Sequence, residues 1–99
     1  MKVEELVSGK LYEHKPINDK IKHILFSFES YEITDEIRGC KLYELQCRQV
    51  VWIRAFGNIN MVSDDIVSLN ETDDIDEIDF DTYEATIIEK IKENLEYIK

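Results

Sequence analysis

Three glycines and one proline occur in 99 residues, and that scarcity removes whole classes of chemistry. A phosphate-cradling loop needs several glycines at fixed spacing, so no such loop can be built in any standard form. Cysteine is equally sparse. Cys40 and Cys47 lie seven positions apart, which in a strand separates their Cα atoms by about 23 Å and turns them to opposite faces. On a helix the separation would be about 10.5 Å. Either exceeds the roughly 7 Å that a disulfide can bridge, so an internal bond needs a chain reversal, and reduced thiols are expected.

Together with His14 and His23, these cysteines are the only soft metal ligands in the chain. None forms a close pair of the C-x-x-C or H-x-x-x-H kind, so no zinc site is expected. No apolar run is long enough to span a bilayer, and Met1-Lys2-Val3-Glu4-Glu5 lacks the charged-then-apolar layout of a secretory signal. The reading from this is a cytoplasmic protein that meets no membrane.

What is present is a normal core complement under a heavy charge. Hydrophobic residues make up 43% of the chain, with five Tyr, four Phe and one Trp, which is too rich for a disordered segment of this length. A single domain over residues 1–99 is expected, since the chain is too short for two ordinary cores. Against 12 Lys and Arg stand 22 Asp and Glu, a net charge of -10. That balance argues against direct binding of nucleic acid or anionic lipid and toward a basic protein partner.

The charge is localised. Residues 64–84 hold ten acids (Asp64, Asp65, Glu71, Asp73, Asp74, Asp76, Glu77, Asp79, Asp81, Glu84) and no Lys or Arg. Outside this segment 12 acids face 12 bases, so it carries the entire net charge. Such a run is either an anionic docking surface, able to imitate the phosphate spacing of nucleic acid, or a solvated loop whose later acids favour a helix N-terminus. Aspartates alternate at Asp74 and Asp76 and at Asp79 and Asp81, but both registers fail the calcium-loop pattern. From Asp74 the fifth and sixth places hold Ile78 and Asp79, and from Asp79 they hold Tyr83 and Glu84, where an acid and a glycine are needed. No metal or other cofactor is expected.

Periodicity outlines the elements. Val3, Leu6 and Val7 followed by Gly9 predict a short helix over 2–8 with a glycine C-cap. Residues 10–14 read as a strand, closed by a turn around Pro16, Asn18 and Asp19. Ile24, Phe26 and Phe28 alternate, then shift phase to Tyr31 and Ile33, which predicts a strand over 22–33 with a bulge near Glu29-Ser30. The stretch 34–39 reads as a hairpin loop leading to an antiparallel strand over 41–56, long enough to suggest a bend or a helical start at 41–48. A turn at Gly57-Asn58 and strand pieces at 59–62 and 66–69 follow.

An acidic loop over 70–79 then leads to the clearest element, a helix over 80–98 with the stripe Phe80, Tyr83, Ile87, Ile88, Ile91, Leu95 and Ile98. Asp81 is its expected N-cap, with Glu84 three residues on and Lys90, Lys92 and Lys99 toward its end. Strands over 10–69 followed by one helix predict an α+β fold: a bent antiparallel sheet of four or five strands, or a small partly closed barrel, with the helix packed on it.

In the central strand, one parity carries Tyr43, Leu45, Cys47, Val51, Ile53 and Ala55, and the other carries Arg48, Trp52, Arg54 and Phe56. Trp and Arg dominate binding hot spots, so the second face is a candidate contact surface. Its bland counterpart is a Trp52 covered by the helix or by the N-terminal segment.

With no nucleophile-base or metal constellation in view, the chain is read as a non-enzymatic binding protein. Its candidate partner-binding residues are Asp64, Asp65, Asp73, Asp74, Asp76, Glu77, Arg48, Trp52, Arg54 and Phe56. One form of this reading is an inhibitor that occupies a basic, nucleic-acid-binding surface of another protein. In size and charge alone the chain is similar to small acidic inhibitors of phages and mobile elements, such as anti-restriction and anti-CRISPR proteins, with no shared motif. The alternative is a homodimeric assembly module joined through the Trp52 face.

Overall fold

Long alternating stretches give long strands here, and the places where alternation fails decide how the sheet is covered. The computed structural model describes residues 1–16, 21–54 and 58–98, and their side chains apart from those of Lys22 and residues 94–98. A single turn of 3-10 helix, Val3–Glu5, precedes strands β1 (Leu11–His14), β2 (Ile21–Ile37), β3 (Cys40–Arg54), β4 (Ile59–Asn70) and β5 (Ile75–Ile78), and helix α1 (Phe80–Ile98) closes the order. The strands form one sheet in the order β4-β3-β2-β1-β5, and every pair is antiparallel. The fold is α+β as expected. The sheet stays open, so the partly closed barrel is not what forms.

Irregularities re-aim the strands. Phe28 pairs with Cys47 and Ser30 with Gln46, so Glu29 is an extra residue on β2, at the position where the phase of the apolar pattern slips. A second irregularity sits on β3. Leu25 pairs with Val51 and Ser27 with Arg48, which leaves three steps on β3 opposite two on β2, and Gln49 adopts φ 52°. A non-glycine residue in the left-handed region is uncommon and marks a bulge that increases local twist. This is the bend anticipated in the strand, placed at its centre.

The bulge swaps the faces of β3. Before it, Tyr43, Leu45 and Cys47 belong to an apolar cluster that includes Val50, Ile24, Phe26, Phe28, Tyr12, Val67, Leu69 and Ile75 and is plugged by Val3 and Leu6. After it, Val51 and Ile53 join Leu25, Tyr83 and Ile87 in a second cluster beneath α1, with Leu11, Ile59 and Ile78 packed around. One face of the sheet is therefore closed by the N-terminal segment and by the sheet's own bend, the other by the helix. Leu25 and Phe26 are adjacent in sequence and both fully inaccessible, as a strand buried on two faces requires.

Other boundaries differ from expectation for local reasons. The predicted loop over 34–39 contracts to Arg38-Gly39, with φ 53° and 80°, while Ile37 pairs with Cys40. Positive φ at both central residues is the geometry whose twist matches two-residue hairpins, so pairing continues to the tip. The pieces at 59–62 and 66–69 are one strand, because β3 pairs with both across Ser63.

The acidic loop over 70–79 contains β5, which pairs with β1. The helix over 2–8 shortens to Val3–Glu5. The expected turn at Asn18 and Asp19, and Ala55, Phe56 and Gly57, lie outside the described residues. The helix cap is Asp79, not Asp81: α1 starts at Phe80, and the Thr82 amide donates to Asp79 Oδ1 at 2.7 Å. Hydrogen bonds from the Thr82 side chain and amide hold the Asp79 carboxyl below its ordinary range. The last turn of α1 holds no basic residue; Lys90 and Lys92 lie earlier in the helix, and Lys99 lies outside the described residues.

Candidate protein-binding edge

Strand order has a direct consequence for the acidic segment. β4 and β5 are the two outer strands, with β3, β2 and β1 between them. Asp64 and Asp65 thus lie on one edge of the sheet, Asp76 and Glu77 on the other, and Glu71, Asp73 and Asp74 on the connection. The single anionic flank expected from sequence is instead a belt that follows both edges. Charged side chains on an edge strand oppose edge-to-edge pairing with another copy, which is a structural use for this placement.

Several of the carboxylates have internal tasks. Asp65 accepts the Trp52 indole N–H at 3.1 Å on Oδ2 and the Ile66 amide at 2.8 Å on Oδ1. Asp73 accepts the Asn70 amide at 2.9 Å and Glu71 the Lys41 amide at 3.1 Å. Basic partners are fewer. Among the described residues, two of the ten acids in 64–84 meet a Lys or Arg: Glu77 with Lys10 at 3.1 Å, and Asp64 with Arg48 at 3.7 Å. Arg48 Nε also lies 2.7 Å from Glu29, so one guanidinium serves two carboxylates. Asp74 uses its carbonyl: His14 Nδ1 lies 2.8 Å away, and a carbonyl can only accept, so Nδ1 carries the proton.

The proposed Trp52 face is divided by the Gln49 bulge. Arg48, next to Cys47 and before the bulge, points to the helix side, whereas Trp52 packs against the cluster on the opposite side. Arg54 is exposed, and Phe56 lies outside the described residues. Trp52 is half-buried with its N–H taken by Asp65, so the four residues do not line up as one open surface.

The outer edge of β4 is a feature that sequence reading missed. The Glu71 amide donates to the Lys41 carbonyl at 2.9 Å, so the backbone of 71 faces β3. Alternation then directs the backbone of 65, 67 and 69 to β3 and that of 64, 66, 68 and 70 outward. Beyond Ser63, the Arg54 amide donates to Asn58 at 2.9 Å, which turns 60 and 62 inward and 59 and 61 outward by the same rule. Among the described residues no strand pairs with this side. Asp65 and Asp73 each occupy one outward amide, of Ile66 and Asn70, while those of Met61, Asp64 and Ser68 have no such bond.

A groove of about 350 Å³ opens beside this edge, lined by Gln49, Val51, Met61, Val62, Phe80 and Tyr83. Tyr83 is fixed: its hydroxyl donates to the Gln49 carbonyl at 2.8 Å, and burial pushes its ionisation up. Phe80 stacks on it with centroids 6.4 Å apart. Phe80 and Met61, 62% and 59% exposed, are the most exposed large apolar side chains among the described residues, and both border the groove. The signal was present in the sequence as a helix stripe beginning at Phe80, about one turn before Tyr83 and two before Ile87, which pack on the sheet.

Cys47 is buried, and burial together with nearby Asp65 pushes its thiol up to about 12, so it stays neutral. Cys40 and Cys47 are both free. Among the described residues no cluster of three metal-ligating side chains occurs, and no helix is long and apolar enough to cross a membrane. Compared with family models, with curated proteins and with solved structures, the chain matches none.

Proposed function

We propose that this chain is a small, acidic, non-enzymatic binding protein whose partner is a basic protein, and that it acts by occupying that partner's surface. The observation that carries the reading is the shortage of internal counter-charge: eight of the ten acids in 64–84 meet no Lys or Arg among the described residues. Carboxylates left without counter-ions at an edge act at a distance, steering association and selecting a cationic surface. A basic surface that otherwise holds nucleic acid is the kind such a belt fits, and an inhibitor working by occupancy is the corresponding role. The homodimer through Trp52 has less support, because that indole already has an internal partner.

The test is recovery of a partner by the full chain at about 50 mM and about 500 mM salt, where the screening length falls severalfold. Capture of a cationic protein lost at high salt, with cross-links to 64–84, is expected. Neutralising Asp74, Asp76, Asp81 and Glu84 together to Asn or Gln should then reduce capture at least about tenfold. A partner held equally at both salts and by the neutralised variant would overturn the reading.

A further inference from the structure

We propose that the outer edge of β4, residues 59–68, takes up an extended basic segment of the partner as a sixth strand. This rests on the reading of a basic protein partner and specifies how it is held.

Three observations converge on the same stretch. The outward amides of Met61, Asp64 and Ser68 carry no bond among the described residues, while that of Ile66 between them is taken by Asp65, and main-chain hydrogen bonds to such an edge supply affinity in strand addition. The residues with outward backbone also share a face. Met61 pairs with Val51 beneath the helix, and Asp64 and Ile66 pair with Arg48 and Gln46, which alternate with the oppositely directed Leu45 and Cys47. Side chains of an added strand that point to this face meet α1 and the groove. One of them falls against Met61 and Phe80 and must be apolar; the next on that face, two residues along, falls opposite Asp64.

Asp64 sets the sign of the occupant. Its side chain is 77% exposed and shares Arg48 with Glu29, so one guanidinium leaves uncompensated negative charge where the added strand lies. A basic side chain satisfies it. A second copy of this chain does not, because it brings its own Asp64 and Asp65 to the edge. The recognised pattern is therefore an extended segment with an apolar and a basic residue on one face.

The experiment uses the full chain labelled with ¹⁵N and the nine-residue peptide Thr-Leu-Thr-Lys-Thr-Leu-Thr-Lys-Thr, whose period of two puts Leu and Lys in turn on one face, with a control in which the two leucines are replaced by proline. Expected are amide shifts at Met61, Asp64 and Ser68, at least about tenfold slower exchange at those amides on strand addition, and no such response to the control. Met61→Pro removes one outward amide and should weaken the peptide at least about tenfold. Phe80→Ser, at an exposed position, should weaken it without threatening the fold.

Shifts confined to 70–84, or equal binding of the control peptide, overturn the edge inference while leaving a basic partner in place. No binding of either peptide at low salt overturns both. Slowed Met61 and Asp64 exchange on concentrating the protein alone overturns it in favour of a second copy.

Discussion

Strands β2 and β3 run the length of the sheet, yet their two ends live in different surroundings. At one end Leu25, Phe26, Val51 and Ile53 are fully inaccessible, because the helix closes one face and the N-terminal plug with the bent sheet closes the other. At the far end of β2, Tyr31, Ile33 and Ile37 are 40%, 51% and 54% exposed, in the same antiparallel pairing with β3, whose Tyr43 and Leu45 stay buried. Strand propensity and ladder hydrogen bonds are common to both ends; cover is not. Energetic weight should therefore concentrate at the covered end, with the far hairpin as a marginal arm.

The largest contrast comes from matched truncations. Leu25→Ala should cost about 2–5 kcal/mol, and Ile33→Ala well under about 1 kcal/mol, in urea unfolding. An equal cost at Ile33 would break the comparison and mean that something covers the arm in solution. Next in size is a proline pair on β4. Val67 directs its amide to β3 and Ser68 directs its amide out, so Val67→Pro should lose about 3 kcal/mol or more and Ser68→Pro much less. Inverted costs would show that the ladder parity derived from Glu71 and Lys41 is wrong, and the strand-addition inference with it.

A smaller effect tests how the helix is pinned. Tyr83→Phe removes the hydroxyl that donates to the Gln49 carbonyl at 2.8 Å and should cost about 1 kcal/mol, with β3–β4 amides near the bulge exchanging faster. Unchanged stability would assign α1 docking to apolar contact alone.

The smallest expected effect concerns the N-terminal plug. Tyr43 is buried and its hydroxyl donates to the Glu4 carboxylate, which raises Tyr43 from 10.0 to about 12 and lowers Glu4 from 4.5. The folded state thus favours neutral Tyr43 and charged Glu4. The tyrosine contribution is complete below pH 10 and lost as pH rises toward about 12. The glutamate contribution is present above pH 4.5 and lost as pH falls through its lowered value. Methyl resonances of Val3 and Leu6 should report loosening at both extremes, and Tyr43→Phe should abolish the alkaline step. An alkaline step that persists in that variant would place its origin elsewhere.

The sharpest lesson about edges comes from Asp65 and Asp73. In sequence they are two members of an acidic run; in the sheet they occupy the amides of Ile66 and Asn70, while acids without such a task remain available for a partner. Trp52 and Arg48 show the converse. Four residues apart with equal parity, they read as one face, and one left-handed residue at Gln49 puts them on opposite sides.

By itself the sequence determined the α+β class, the long antiparallel strands, the bulge at Glu29 and the amphipathic helix, because each follows from apolar spacing over neighbouring residues. It also held a clue left unused: the consecutive apolar runs at 24–26 and 50–51 require burial on both faces. Tertiary structure alone decided which strands became edges, where the Gln49 bulge reversed a face, and hence that the acids form a belt with a groove at Met61 and Phe80. Those outcomes depend on pairings between residues far apart in the chain, and local periodicity is insensitive to the order in which strands assemble.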